Sequence, residues 1–172
     1  MSLFRWIALV AFLALGLQRI AELVYARRNA RRLEAAGARL VRHDGMGLLV
    51  TVHALFFALG LAEVLAAPWP NFGWWTWVGL PLFVAGQGLR AWSMRSLGWR
   101  WNTRVYVLPE AQLVAGGPYR FLHHPIYVGV VLELAGFAAL FGLWGTLIVA
   151  DGLNLVALRR RIRVESRALG LT

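Results

Sequence analysis

Residues 46–67 read MGLLVTVHALFFALGLAEVLAA, an apolar run of the length an α-helix needs to cross the hydrocarbon core of a bilayer, about 20 residues. Similar runs lie on both sides of it. Leu3 to Tyr25 is one and Trp74 to Ser93 is another. Ile126 to Leu158 is long enough for two short helices, because Gly142, Trp144 and Gly145 interrupt it. Pro68 and Pro70 break the chain after the quoted run, and Pro125 stands where a proline opens a helix. The first run has one basic residue ahead of it and no small-residue cleavage site, so it reads as a retained helix rather than a leader. The expected fold is all-α: a polytopic membrane protein of about five transmembrane helices, closing with a C-terminal helical hairpin. No repeat or long linker divides it, so residues 1–172 form a single domain.

Composition agrees. Of the 172 residues, 59% are hydrophobic and only 15% charged, and the mean hydropathy is +0.60, too apolar for an ordinary soluble domain. Every basic residue is an arginine, and the net charge is +10. The arginines cluster between apolar runs instead of along one polar face, which argues for membrane-flanking charge and against nucleic-acid binding. With no cysteine, disulfides, thiolate metal sites and cysteine nucleophiles are excluded. The four histidines lack a metal-binding spacing, so no metal is expected. Without lysine there is no Walker motif.

The arginines also orient the chain, because basic loops stay cytoplasmic. Arg27 to Arg42, Arg95 to Arg120 and Arg159 to Arg167 fall on one side if there are five spans. The other side carries Arg5 and little else. A multi-pass protein of the cytoplasmic membrane follows, with its N-terminus outside. Trp69, Trp74, Trp75, Trp77 and Trp144 are expected at the outer interface, where amphipathic rings are favoured.

The polar interval from Arg95 to Pro125 and the tail after Leu158 therefore share the cytoplasmic face, and a site for a soluble cofactor is expected between them. Gly116-Gly117-Pro118-Tyr119 makes a tight turn, and Pro125 starts a helix whose free N–H groups point back at it. Ionisable groups inside spans are the next clue, since each costs on the order of 3 kcal/mol at the bilayer centre unless paired or facing a cavity. Glu133 shares a face with Gly129 and Gly136. Asp151, Asn154, Leu158, Arg161 and Glu165 follow steps of three and four along one stripe. These two stripes are expected to line one cavity, the alternative being helix–helix hydrogen bonding with close glycine packing. Gln18, Arg19 and Glu22 in the first span, and Gln87 with Arg90 in the third, read as structural pairs. His53 reads first as a helix-packing residue.

Gly117-Pro118-Tyr119-Arg120, His124-Pro125-Ile126-Tyr127-Val128-Gly129 and Arg163-Val164-Glu165 together resemble the membrane methyltransferases that comprise isoprenylcysteine carboxyl methyltransferases and phospholipid methyltransferases, in a compact bacterial form. The motif-bearing part is about 95–169. The resemblance implies S-adenosyl-L-methionine as cofactor, held by Gly117, Tyr119, His124, Tyr127 and Glu165. It also implies a lipophilic small-molecule or lipid acceptor methylated on a carboxyl or hydroxyl oxygen. His123 is expected to orient or deprotonate the acceptor, with Glu133, Asn154 and His53 along its route. Two positions depart from the family pattern: His123 stands where an arginine is usual, and Ser166 where a second glutamate is usual. A phospholipid N-methyltransferase, a sterol-reductase-like oxidoreductase and a non-catalytic scaffold are the competing readings.

Overall fold

The computed structural model describes residues 2–68 and 71–171, so Trp69 and Pro70 lie outside the described residues. Four long helices form: α1 (Leu3–Ala35), α2 (Met46–Ala66), α3 (Thr76–Leu97) and α4 (Pro125–Leu140). A turn at Phe141–Leu143 then leads into α5 (Trp144–Thr146), which passes through a π-helical turn (Leu147–Asp151) into α6 (Gly152–Ala168) without leaving helical backbone. The C-terminal hairpin is therefore present. The chain is helical apart from one small ribbon, in which β1 (Arg39–Leu40) pairs antiparallel with β2 (Tyr106–Val107).

α1 and α2 are long and apolar enough to cross a membrane, and α4 is apolar but shorter. Large apolar side chains cover the outside of the bundle, among them Val10, Leu13 and Ile20 on α1, Val84 on α3 and Ile148 on the π turn. Water would penalise so much contiguous apolar surface, whereas lipid matches it. Trp74 and Trp77 are about three-quarters exposed at the start of α3. Trp75 instead packs edge-on against Trp144.

α1 runs ten residues past the expected end at Tyr25, and the reason is packing. Ala26, Asn29 and Leu33 keep one face of the extension buried. Asn29 donates to the Trp101 carbonyl at 2.8 Å, and Asn102 donates to the Ala26 carbonyl at 2.8 Å. The Tyr25 ring stacks on Trp101. The extension stops at Gly37, whose φ of +82° lets the Ala38 N–H turn back to the Leu33 carbonyl, the glycine-terminated ending common to helices.

α3 and α4 are the closest pair in the fold. A Cβ on Gly79 or Gly86 would collide with the α4 backbone at Leu140 or Glu133, and one on Gly136 would collide with the α3 backbone at Phe83. Two seven-residue glycine spacings thus face each other and bring the main chains together, the small-residue packing that holds helices where the hydrophobic effect is weak. The Gly129–Gly136 stripe of α4 is spent on α3, not on a cavity wall. At the other end of the bundle Glu63 of α2 accepts from the Gly145 and Thr146 N–H groups at 2.9 and 2.7 Å. It caps the start of α5, where free donors and the helix dipole favour an anion.

This packing gives a paired expectation. Gly86→Ala should destabilise the protein by about 1–3 kcal/mol through overpacking, seen as a lower thermal midpoint in detergent. Gly88→Ala, on the open face of the same helix, should not lower it.

Candidate active site

A cavity of about 660 Å³ opens between the loops and the helix ends, and Tyr119, His123, His124, Tyr127 and Glu165 all line it. Three separate segments bring them there. Tyr119 comes from the 3₁₀ turn Gly117–Arg120, His124 caps α4, and Glu165 lies one helical turn beyond Arg161 on α6. Tyr127 donates a short hydrogen bond to the Glu165 carboxylate. The His124 ring stacks on Tyr127, and its Nε2 lies 2.9 Å from the Ser166 hydroxyl. His124 Nδ1 is 3.9 Å from Glu165. Burial lowers the His124 pKa, with His123 adding to the effect and Glu165 opposing it, so the ring is neutral at physiological pH. Burial, aided by Glu165, raises the Tyr119 phenol well above its ordinary value. Tyr119 and His124 are therefore hydrogen-bonding groups rather than charges.

Arg161 organises this mouth. It is buried, and it donates to the Asp44 carbonyl at 2.5 Å, the Thr103 carbonyl at 2.7 Å and the Tyr127 hydroxyl at 3.1 Å. It also pairs with the Asp44 carboxylate at 2.9 Å. Asp44 in turn accepts from Arg104 Nε at 2.6 Å and from the Met46 and Val105 N–H groups, both at 3.1 Å. One ion pair thereby joins the loop before α2, the loop after α3, α4 and α6. Asp44 carries no motif, but Arg161 stands on the sequence stripe that ends at Glu165.

Glu133 and Asn154, expected on the acceptor route, do not line the cavity. Glu133 is fully buried, and its two oxygens bind Arg19 and Arg90, with Gln87 donating as well at 3.3 Å. Glu22 completes the set, accepting from Arg19 at 2.7 Å and Arg90 at 2.6 Å. Gln18 and Gln87 exchange hydrogen bonds at 2.9 and 3.0 Å. The groups expected to pair within α1 and within α3 are joined across α1, α3 and α4. Asn154 is buried with its side-chain oxygen unpartnered, and the Asp151 carboxylate one turn earlier is unpartnered too. Gly117 also lies off the cavity wall. Its φ of +60° and the absence of a Cβ let the turn press on Ser96 and Trp92 of α3, two residues before Tyr119. Arg19, Glu22, Arg90 and His53, by contrast, do line the cavity.

An apolar helical bundle thus carries a polar cavity built from the turn, the His-Pro helix start and the tail. Residues 77–170 match the isoprenylcysteine carboxyl methyltransferase (ICMT) family, and the chain belongs to it. Uncharacterized protein YpbQ of Bacillus subtilis (strain 168) is 35% identical over 152 residues, covering 88% of this chain and 90% of the relative. An uncharacterized protein of Haemophilus influenzae is 25% identical over 145 residues, 83% of each chain. No solved structure matches the chain.

The Asp44 pairing sets an acid dependence. Burial raises its pKa, but the hydrogen bonds from Arg104, Arg161 and the Met46 and Val105 N–H groups outweigh burial and hold the carboxyl below its ordinary value. A group with a depressed folded pKa contributes stability that is present above its unfolded pKa, about 3.9, and is lost as pH falls through the folded value. The thermal midpoint in detergent should therefore fall for the wild type as pH drops below about 4. Asp44→Asn should start lower at neutral pH and show a weaker decline, as thermal scans across that range will reveal.

Proposed function

We propose that this chain is an S-adenosylmethionine-dependent methyltransferase that crosses the cytoplasmic membrane five times and methylates an oxygen of a lipophilic acceptor. The observation that carries the reading is the meeting of Tyr119, His123, His124, Tyr127 and Glu165 around one cavity, which no scaffold role requires.

The residues suit the cofactor. Glu165 keeps about a quarter of its side chain open, a carboxylate available to an ammonium group. Arg100 and Arg104 at the same mouth offer guanidinium groups to a carboxylate, and Leu113, Val114 and Leu169 offer an apolar wall to an aromatic base. When bound, the cofactor supplies a methyl carbon on a positively charged sulfur, open to in-line displacement. The protein's part is to align the nucleophile and exclude water. Tyr127 holds the Glu165 carboxylate in place, and Ser166 holds the His124 ring. His123 is exposed at the rim, and no described residue hydrogen-bonds it. Leu49, Val50, Ala54, Phe57 and Val130 form an apolar inner wall suited to an alkyl chain arriving from the bilayer.

Replacing Glu165 by Gln should weaken S-adenosylhomocysteine binding more than tenfold, a loss of about 1.4 kcal/mol or more, when titrated by calorimetry in detergent. Equal affinity in both proteins would remove Glu165 from the cofactor's partners. The threading makes a separate expectation. Cysteines placed at Arg31, Arg120 and Asn71, all exposed, should react with an impermeant reagent in intact cells only at Asn71. Labelling at Arg31 or Arg120 and not at Asn71 would invert the topology.

A further inference from the structure

Phe121 and Leu122 stand between Tyr119 and His124 on one short segment, yet neither lines the cavity. Phe121 is about three-quarters exposed, and Leu122 is exposed as well. The backbone bonds of this segment stay within it, since the Phe121 and Leu122 N–H groups both reach the Pro118 carbonyl at 3.1 Å. Its outer side is therefore left to whatever covers Phe121.

Gly117 sets the level at which the segment lies. A Cβ there would collide with Ser96 Oγ and crowd Trp92 Nε1, so the turn is seated on the end of α3. The outer face of α3 changes character at this point. Val78, Val84 and Trp92 are exposed apolar residues, and Arg95 is the first exposed charge on the helix. On α1 the change runs from exposed Leu23 and Val24 to exposed Arg27 and Arg28. The Tyr25 hydroxyl, between them, donates to the Gly98 carbonyl at 3.3 Å, which brings the two transitions to one level. On α4 the exposed apolar surface reaches Val128, in the first turn.

Phe121 and Leu122 thus extend the outward apolar surface of α3 and α4 up to the boundary that the arginines mark. Aromatic rings are favoured where lipid headgroups meet acyl chains, and arginines beside them reach past the apolar layer toward phosphates. Two such pairs occur here. Arg120 Cζ is 5.8 Å from the centroid of the Phe121 ring, and Arg100 Cζ is 5.9 Å from that of Trp99, itself exposed at the end of α3. The patch is continuous with lipid-facing surface and flanked by cations, a match for lipid rather than for a protein partner.

Resting on the membrane-crossing reading above, we infer that Phe121 and Leu122 insert into the leaflet on the mouth's side and anchor the segment that carries Tyr119 and His124. The partner is the boundary between headgroups and acyl chains, with Arg95 and Arg120 left to the phosphates. Phe121 and Leu122 are positioning residues, because they act on the site through the segment they hold.

The chain has no cysteine, so single cysteines bearing an environment-sensitive fluorophore can replace Phe121, Val84 and Arg31 in nanodiscs holding one protein each. The label at Phe121 should be quenched more by a spin label near the top of the acyl chain than by one near its end or by aqueous iodide. The label at Val84 should respond to the deeper spin label, and that at Arg31 to iodide. Quenching at Phe121 mainly by iodide would overturn the anchor, and so would shielding from iodide and both spin labels, the sign of a protein cover. A Val84 label open to iodide would remove the membrane threading and the anchor with it. Serine at both Phe121 and Leu122 should weaken S-adenosylhomocysteine binding in nanodiscs by roughly fivefold or more. Phe121→Trp, which keeps an interfacial ring, should bind as the wild type does. Equal affinity in the serine variant would overturn the positioning role. If even the wild type binds no S-adenosylhomocysteine, the methyltransferase reading fails and the quenching pattern alone decides the anchor.

Discussion

The fold depends on a buried exchange of charge between α1, α3 and α4. Arg19 and Arg90 each bind both Glu22 and Glu133, and the four groups are mostly or wholly withdrawn from solvent. In a low-dielectric interior none of them can stay charged alone. Removing one partner from such a set leaves an uncompensated charge, at a cost of about 3–5 kcal/mol. The pairing fixes the rotation and height of three helices at once, because a helix that slides or turns withdraws its charged group from two partners. The glycines at 79, 86 and 136 make this geometry reachable, since they let α3 and α4 approach until Arg90 meets Glu133.

A second ion pair does for the mouth what the quartet does for the floor. Arg161 and Asp44 gather two loops, α4 and α6 around one guanidinium. Between the two charged levels the cavity wall is apolar. The cavity therefore has a polar outer end with free hydrogen-bonding groups, an apolar middle and a neutralised polar inner end.

Much of this was legible in the sequence, for identifiable reasons. The helices follow from apolar runs and prolines, and Tyr119, His124, Tyr127 and Glu165 follow from motifs whose members the fold brings together. What the sequence could not supply was partnership across helices. The Glu133 stripe was visible, but periodicity tells which residues share a face, not which neighbour that face meets. Hence Glu133 belongs to Arg19 and Arg90, and Gly117 to Ser96 and Trp92. Likewise α1 outlasts its apolar run because Asn29 and Asn102 find carbonyls far along the chain, a contact that no local pattern encodes. Asp44 was hidden for the same reason: a lone acidic residue in a basic loop acquires meaning only when Arg161 and Arg104 arrive from elsewhere.

Ser166 shows how a departure from the family pattern can be absorbed. A second carboxylate beside Glu165 would add negative charge next to His124 and draw the ring toward its protonated form. The serine hydroxyl meets the same ring nitrogen at 2.9 Å without charge, and burial then keeps the imidazole neutral. Glu165 is left as the one carboxylate lining the mouth among the described residues, with Tyr127 and not His124 holding it by a hydrogen bond. The neighbouring imidazole thus leaves the carboxylate without a cationic partner. The same substitution that removes a charge from the tail sharpens the charge that remains.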